Sequence, residues 1–240
     1  YRNIFPTKKE SVHPISAVLC GLLRDRQTLF RKMRKDRTVK GNTVNSYKNL
    51  PEGYEAVREI DAVGNKRVAV GLNAAALLIS ALSGTLLYFL RFRRFTFTVD
   101  EINFGAYLLF TLGLLLSMFV YLVLHELVHG IVYKLMTREK LTFGISFSCA
   151  YCGVPDVFVT KKTALSALVA PFAVFTVAFA LPIAFVGDYA ALFLSFLLVL
   201  HFGGCSGDLY DMILLLFVIK GDVLMKDTGP KQTFYVRTGE

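Results

Sequence analysis

His125, Glu126 and His129 stand together as His-Glu-Leu-Val-His, the part of the chain whose residue types and spacing could do chemistry. On a helix, positions i and i+4 fall on one face, so both imidazoles can reach one Zn²⁺. Glu126 then lies beside the metal without having to ligate it, placed to take a proton from an attacking water that the metal acidifies. The surrounding segment is strongly apolar, and ionisable side chains inside an apolar span are costly and usually functional. Three of them within five residues favour a metal site over the competing reading, a polar cluster that only ties helices together.

Zinc in a catalytic site takes a third protein ligand and leaves a fourth position open. Candidates lie in a later apolar run, His201-Phe-Gly-Gly-Cys205-Ser-Gly-Asp208-Leu-Tyr-Asp211. If the chain weaves back and forth across a membrane, the two runs cross it in the same direction. His125 lies 21 residues after Phe104, and Asp208 lies 19 after Tyr189. At ~1.5 Å per residue the two sit within about half a turn of the same depth. Asp208 is therefore the expected third ligand. Asp211, His201 and Cys205 share roughly its helical face and remain competitors, or partners that orient the ligands. Gly203, Gly204 and Gly207 would permit close helix approach or local unwinding, or serve plain packing.

The elements that must carry these residues are four long apolar runs, at about 68–90, 104–133, 163–186 and 189–219. Each exceeds the ~20 residues needed to cross the hydrocarbon core. Pro171 and Pro182 predict a kink in the third. The expected fold is an all-α membrane protein: a four-span transmembrane helical bundle over residues 68–220. A basic N-terminal region, 1–67, and a C-terminal tail, 221–240, flank it. Within the former, residues 41–66 read as polar loop with a turn at Pro51-Glu-Gly. Alternation around a turn at 141–160 predicts a small cytoplasmic β-hairpin between spans two and three. Its edge could hold an extended substrate as an added strand.

Composition agrees with a membrane location. The chain is 54% hydrophobic with a mean hydropathy of +0.51, concentrated in 68–220, as in an integral multi-pass protein. The net charge of +9 reads as topology rather than nucleic-acid binding, because Lys and Arg collect on the cytoplasmic side. With the N-terminus inside, the inner segments carry 15, 5 and 4 of these residues, against 3 outside, so both termini are expected in the cytoplasm. Ile15, Val18, Leu19, Leu22, Leu23, Leu29, Phe30 and Met33 recur at helical spacing among arginines and lysines. They predict an amphipathic helix that lies on anionic lipid or packs on the protein itself. Residues 1–20 lack the apolar core of a cleavable signal peptide. The four cysteines suggest no secreted disulfide framework. Cys149-Ala-Tyr-Cys152 lacks the partners of a zinc site and the βαβ setting of a redox motif, so both read as incidental. His13 is isolated and reads as a surface residue.

The set His125–Gly130, Phe143-Gly144, Ala170-Pro171, Ser206-Gly-Asp208 and Lys226-Asp-Thr-Gly-Pro with Phe234-Tyr-Val resembles a zincin peptidase family of bacterial multi-pass membrane proteins. The resemblance covers about residues 50–240, and the family is similar in plan to the site-2 proteases. It implies zinc held by His125, His129 and Asp208, with Glu126 as the catalytic residue. The chain departs from the site-2 pattern where Gly207 precedes the aspartate and Leu209 follows it. The resemblance further implies a bacterial cell membrane and a membrane-protein or peptide substrate cut near the cytoplasmic side. A non-enzymatic alternative is a membrane protein with a structural metal that binds or regulates a partner. A proton or ion pathway through Asp208, Asp211 and His201 fits less well, since four spans leave little room for alternating access and no internal repeat is seen.

Overall fold

The computed structural model describes residues 44–93, 104–146 and 150–238. The expected N-terminal amphipathic helix, His13, Cys20 and Cys149 lie outside them. Helix α1 (Lys66–Leu87) starts where the Asn65 side chain accepts hydrogen bonds from the amides of Arg67 and Val68, and it runs on through a π-helical turn at Tyr88–Phe92. Helix α2 spans Phe104–Thr137. Helix α3 (Lys161–Ile183) is capped by the Thr160 hydroxyl, which accepts from the Thr163 amide. Helices α4 (Asp188–Gly204) and α5 (Ser206–Ile213) follow, and α5 passes into a π-helical turn at Leu214–Val218.

Among the described residues, three helices are long and apolar enough to cross a membrane: Lys66–Phe92, Phe104–Thr137 and Lys161–Ile183, of 27, 34 and 23 residues. Their lengths correspond to roughly 35–50 Å against a hydrocarbon core of about 30 Å. Leu77 and Leu109 are each 73% exposed, and an apolar surface of this extent is one that avoids water.

Among the described residues, seven strands accompany the helices: β1 (Ser46–Tyr47), β2 (Tyr54–Asp61), β3 (Thr142–Ile145), β4 (Ala150–Gly153), β5 (Phe158–Thr160), β6 (Val223–Asp227) and β7 (Lys231–Arg237). Five form an antiparallel sheet in the order β1-β5-β6-β7-β2, and β3 and β4 form a separate pair. A hairpin thus lies within 141–160, with Thr142 opposite Gly153 and Ile145 opposite Ala150, but the end of that stretch, β5, pairs in the five-stranded sheet instead.

The all-α, four-span bundle is corrected on two points. Residues 54–61, read as loop, pair along their length with β7, from Tyr54 opposite Arg237 to Asp61 opposite Lys231. The C-terminal tail folds back as the β6–β7 hairpin, whose turn places Gly229 at φ +99°, a conformation that favours glycine. The chain is therefore a mixed helix-and-sheet protein. Hydropathy missed the sheet because β2 carries charges along its length and buries only Ile60. Second, the expected fourth span is two helices bent by 42° at Cys205, so it is not one continuous crossing helix.

A core of Tyr133, Leu168, Leu215, Met225 and Phe234 joins the sheet to α2, α3 and the end of α5. Buried Tyr133 donates to Asp227 Oδ2 at 2.7 Å, and Asp227 Oδ1 accepts from the Gly229 amide at 2.8 Å. Burial pushes the Asp227 carboxyl up to about 6 despite these donors. Its backbone carbonyl accepts from the Val154 amide at 2.9 Å. One aspartate thus ties the sheet to both α2 and the segment after β4.

Candidate metal centre

His125, Glu126 and His129 sit on α2, one to two turns before the Tyr133 anchor, and both histidines are buried. Asp208 sits on the first turn of α5, just past the break at Cys205. The break follows close packing of α4 on α1: a Cβ at Gly203 would collide with Ser80 Oγ and stand 3.0 Å from the Ala76 carbonyl. The bend then carries Asp208 to the histidine pair.

Three donor atoms converge. His125 Nε2 is 3.2 Å from Asp208 Oδ2 and 3.2 Å from His129 Nε2, and His129 Nε2 is 3.4 Å from Asp208 Oδ2. Tetrahedral bonds of about 2.05 Å put neighbouring ligand atoms about 3.3 Å apart, so the three edges have the size of a zinc site's face.

The hydrogen bonds behind the imidazoles show which nitrogens are free. His129 Nδ1 is 2.9 Å from the Ala167 carbonyl, which can only accept, so Nδ1 carries the proton and Nε2 keeps its lone pair. Ala167 lies four residues before Pro171, inside α3. Proline has no N–H, and that leaves the Ala167 carbonyl without its helical donor and available to His129.

A longer relay serves His125. His201 Nε2 donates to the Phe172 carbonyl at 3.2 Å, so its Nδ1 accepts the Tyr121 hydroxyl at 2.8 Å. The Tyr121 oxygen in turn accepts from His125 Nδ1 at 3.1 Å, and His125 Nε2 is left unprotonated. With both rings in these neutral tautomers, two imidazole lone pairs and a carboxylate oxygen face one another, an arrangement that a cation would hold. The donor chemistry and the spacing both fit a divalent metal, and His₂-carboxylate is a zinc set.

His125, His201 and Cys205 form a second group with donor atoms within 4.8 Å of one another. Here the Tyr121 hydroxyl already bridges the two Nδ1 atoms, so the tautomers are satisfied without an ion. Cys205 Sγ is 3.5 Å from His201 Nδ1. The sequence marks these two as possible ligands or orienting partners but does not mark Tyr121, whose only local signal is its place one turn before His125. Loss of the relay hydroxyl in Tyr121→Phe is expected to weaken zinc binding by about 10–100-fold, the usual cost of a missing outer hydrogen-bond partner. Competition with a chromophoric chelator measures it, and unchanged affinity would exclude the relay.

The donors open onto a cavity of 280 Å³ that Glu126, Asp211 and Asp227 also line, together with Ala150, Tyr151 and Cys152 of β4. Burial pushes the Cys152 thiol up to about 12, so it is no nucleophile at neutral pH. Gly207 has open space where a side chain would stand, and Gly204 makes only ordinary contact with the Tyr121 hydroxyl at 3.8 Å.

A histidine pair one turn apart on a helix, a glutamate beside it and a carboxylate from a later helix is the arrangement of the zincin class. Residues 118–223 match the model of the family described as "Putative zincin peptidase", over a stretch that contains all four residues. Comparisons with curated proteins and with solved structures find no match.

Proposed function

We propose that the chain is a zinc-dependent intramembrane peptidase of site-2-protease-like plan. The convergence of His125 Nε2, His129 Nε2 and Asp208 Oδ2 at 3.2–3.4 Å, with Glu126 on the same cavity, carries the reading. His125, His129 and Asp208 hold the metal. Zinc supplies Lewis acidity for the attack of water on a peptide carbonyl. Glu126 takes the proton of the attacking water on its carboxylate and returns it to the amine nitrogen that leaves. The helix walls limit water to what enters the cavity. Strand β4 runs along that cavity and supports binding of an extended substrate segment beside it. Three apolar helices and the excess of Lys and Arg in the expected inner segments support a multi-pass location with cytoplasmic termini. The substrate is then a membrane protein or peptide, and the basic N-terminal region contacts anionic lipid.

The test separates the two aspartates of α5. Asp208→Ala is expected to lose stoichiometric zinc from purified protein, and Asp211→Ala to retain it. Metal analysis after dialysis reads the result. Zinc lost only on the Asp211 change would overturn the ligand set.

A further inference from the structure

Asp211 has no part in the metal site as built, yet it is the most unusual side chain on the cavity. It lies one turn after Asp208 on α5 and is 5% exposed. Its Oδ1 is the one buried side-chain oxygen or nitrogen among the described residues that lacks a hydrogen-bond partner. The other carboxylates on the cavity are accounted for. Asp208 faces the imidazoles, Asp227 takes hydrogen bonds from Tyr133 and Gly229, and Glu126 is the proton acceptor proposed above. No lysine or arginine lines the cavity among the described residues.

A buried carboxylate oxygen with no donor is costly, and in an apolar helix bundle it marks function. A donor would complete its geometry, and a cationic nitrogen makes the stronger hydrogen bond to a carboxyl group. The apolar part of the lining suits what would carry such a group. Ile60, Leu72 and Ala76 are apolar and line the same cavity, a surface for a methylene stem. Residues three apart on a helix have Cβ atoms about 5–6 Å apart. A group held at Asp211 therefore lies about one residue's distance from the metal that Asp208 would hold.

We propose that this cavity recognises a cationic nitrogen on the substrate residue flanking the cleaved bond, with Asp211 as its anchor. The nitrogen is a side-chain ammonium or guanidinium, or a free α-ammonium. The proposal rests on the metallopeptidase reading, which supplies the reason for a peptide to be there.

Three hydroxamates test it on the full-length, zinc-loaded protein in detergent at pH 7, by calorimetric dissociation constants. N-acetyl-norleucine hydroxamate is neutral, N-acetyl-lysine hydroxamate carries the side-chain ammonium, and norleucine hydroxamate carries the α-ammonium. At least one cationic probe is expected to bind ten-fold or more tighter than the neutral one, and which of them does so identifies the source of the charge. In Asp211→Asn that ratio should fall below three. Equal affinity of all three probes for the wild-type protein overturns the proposal without recourse to a variant. A preference that survives Asp211→Asn overturns Asp211 as the anchor. Binding of none of the three overturns the metal-site reading itself, an outcome distinct from binding without preference.

Discussion

Alanine at His125 or His129 is expected to abolish stoichiometric zinc binding in the purified protein. Each imidazole supplies one of three protein donors, and their Nε2 atoms stand 3.2 Å apart with Asp208 across from both. Removing either leaves a two-donor site, below the three protein ligands of a catalytic zinc centre. The loss should far exceed the roughly 10–100-fold that an outer hydrogen-bond partner is worth. The two variants should also behave alike, although one histidine leans on the Tyr121–His201 relay and the other on the Ala167 carbonyl. Metal content by mass spectrometry, with circular dichroism to confirm folding, reads the outcome. Stoichiometric zinc in either folded variant would remove the histidine pair from the site.

Glu126→Gln is expected to keep zinc and to lose hydrolysis. The amide has nearly the same shape as the carboxylate and cannot accept a proton from the attacking water. A positioned general base contributes about 10²–10⁴-fold, and the fall in turnover should lie in that range or beyond it. Glu126 lines the cavity beside the donors, so the substitution leaves all three ligand atoms in place. A dye-labelled, unfolded protein presented in detergent provides the assay, with zinc measured on the same sample. Undiminished cleavage by the variant rules Glu126 out as the proton acceptor. Loss of zinc from it would show instead that the glutamate helps to hold the metal.

The sequence made some of this legible because the physics is local. A pair of histidines four residues apart announces a shared helical face whatever the rest of the chain does. Long apolar runs announce helices able to cross a membrane, and α1, α2 and α3 are such helices. The β3–β4 hairpin showed in its alternation because its two strands are joined by a short connection. By contrast, β2 pairs with β7 across 170 residues of chain or more, and its charges conceal any alternation. Membership of a sheet is set by what a strand lies beside, and no local pattern reports it.

By itself, then, the sequence determined the helix-borne His125, Glu126 and His129, the apolar character of three helices and the hairpin after α2. These follow from periodicity and side-chain chemistry within one element. The tertiary structure alone decided the five-stranded sheet, and with it the fold class. It also separated the two acids of α5, between which depth along the chain favoured Asp208 but left Asp211 a competitor. Asp208 and Asp211 are one turn apart with the same chemistry, and only the 42° bend at Cys205 and the packing of Gly203 on α1 bring Asp208 to the histidines. The hydrogen bonds that free each Nε2 were hidden for the same reason. Tyr121, His201 and the Ala167 carbonyl come from three helices, and contacts between helices depend on depth, rotation and bend, which no single segment encodes.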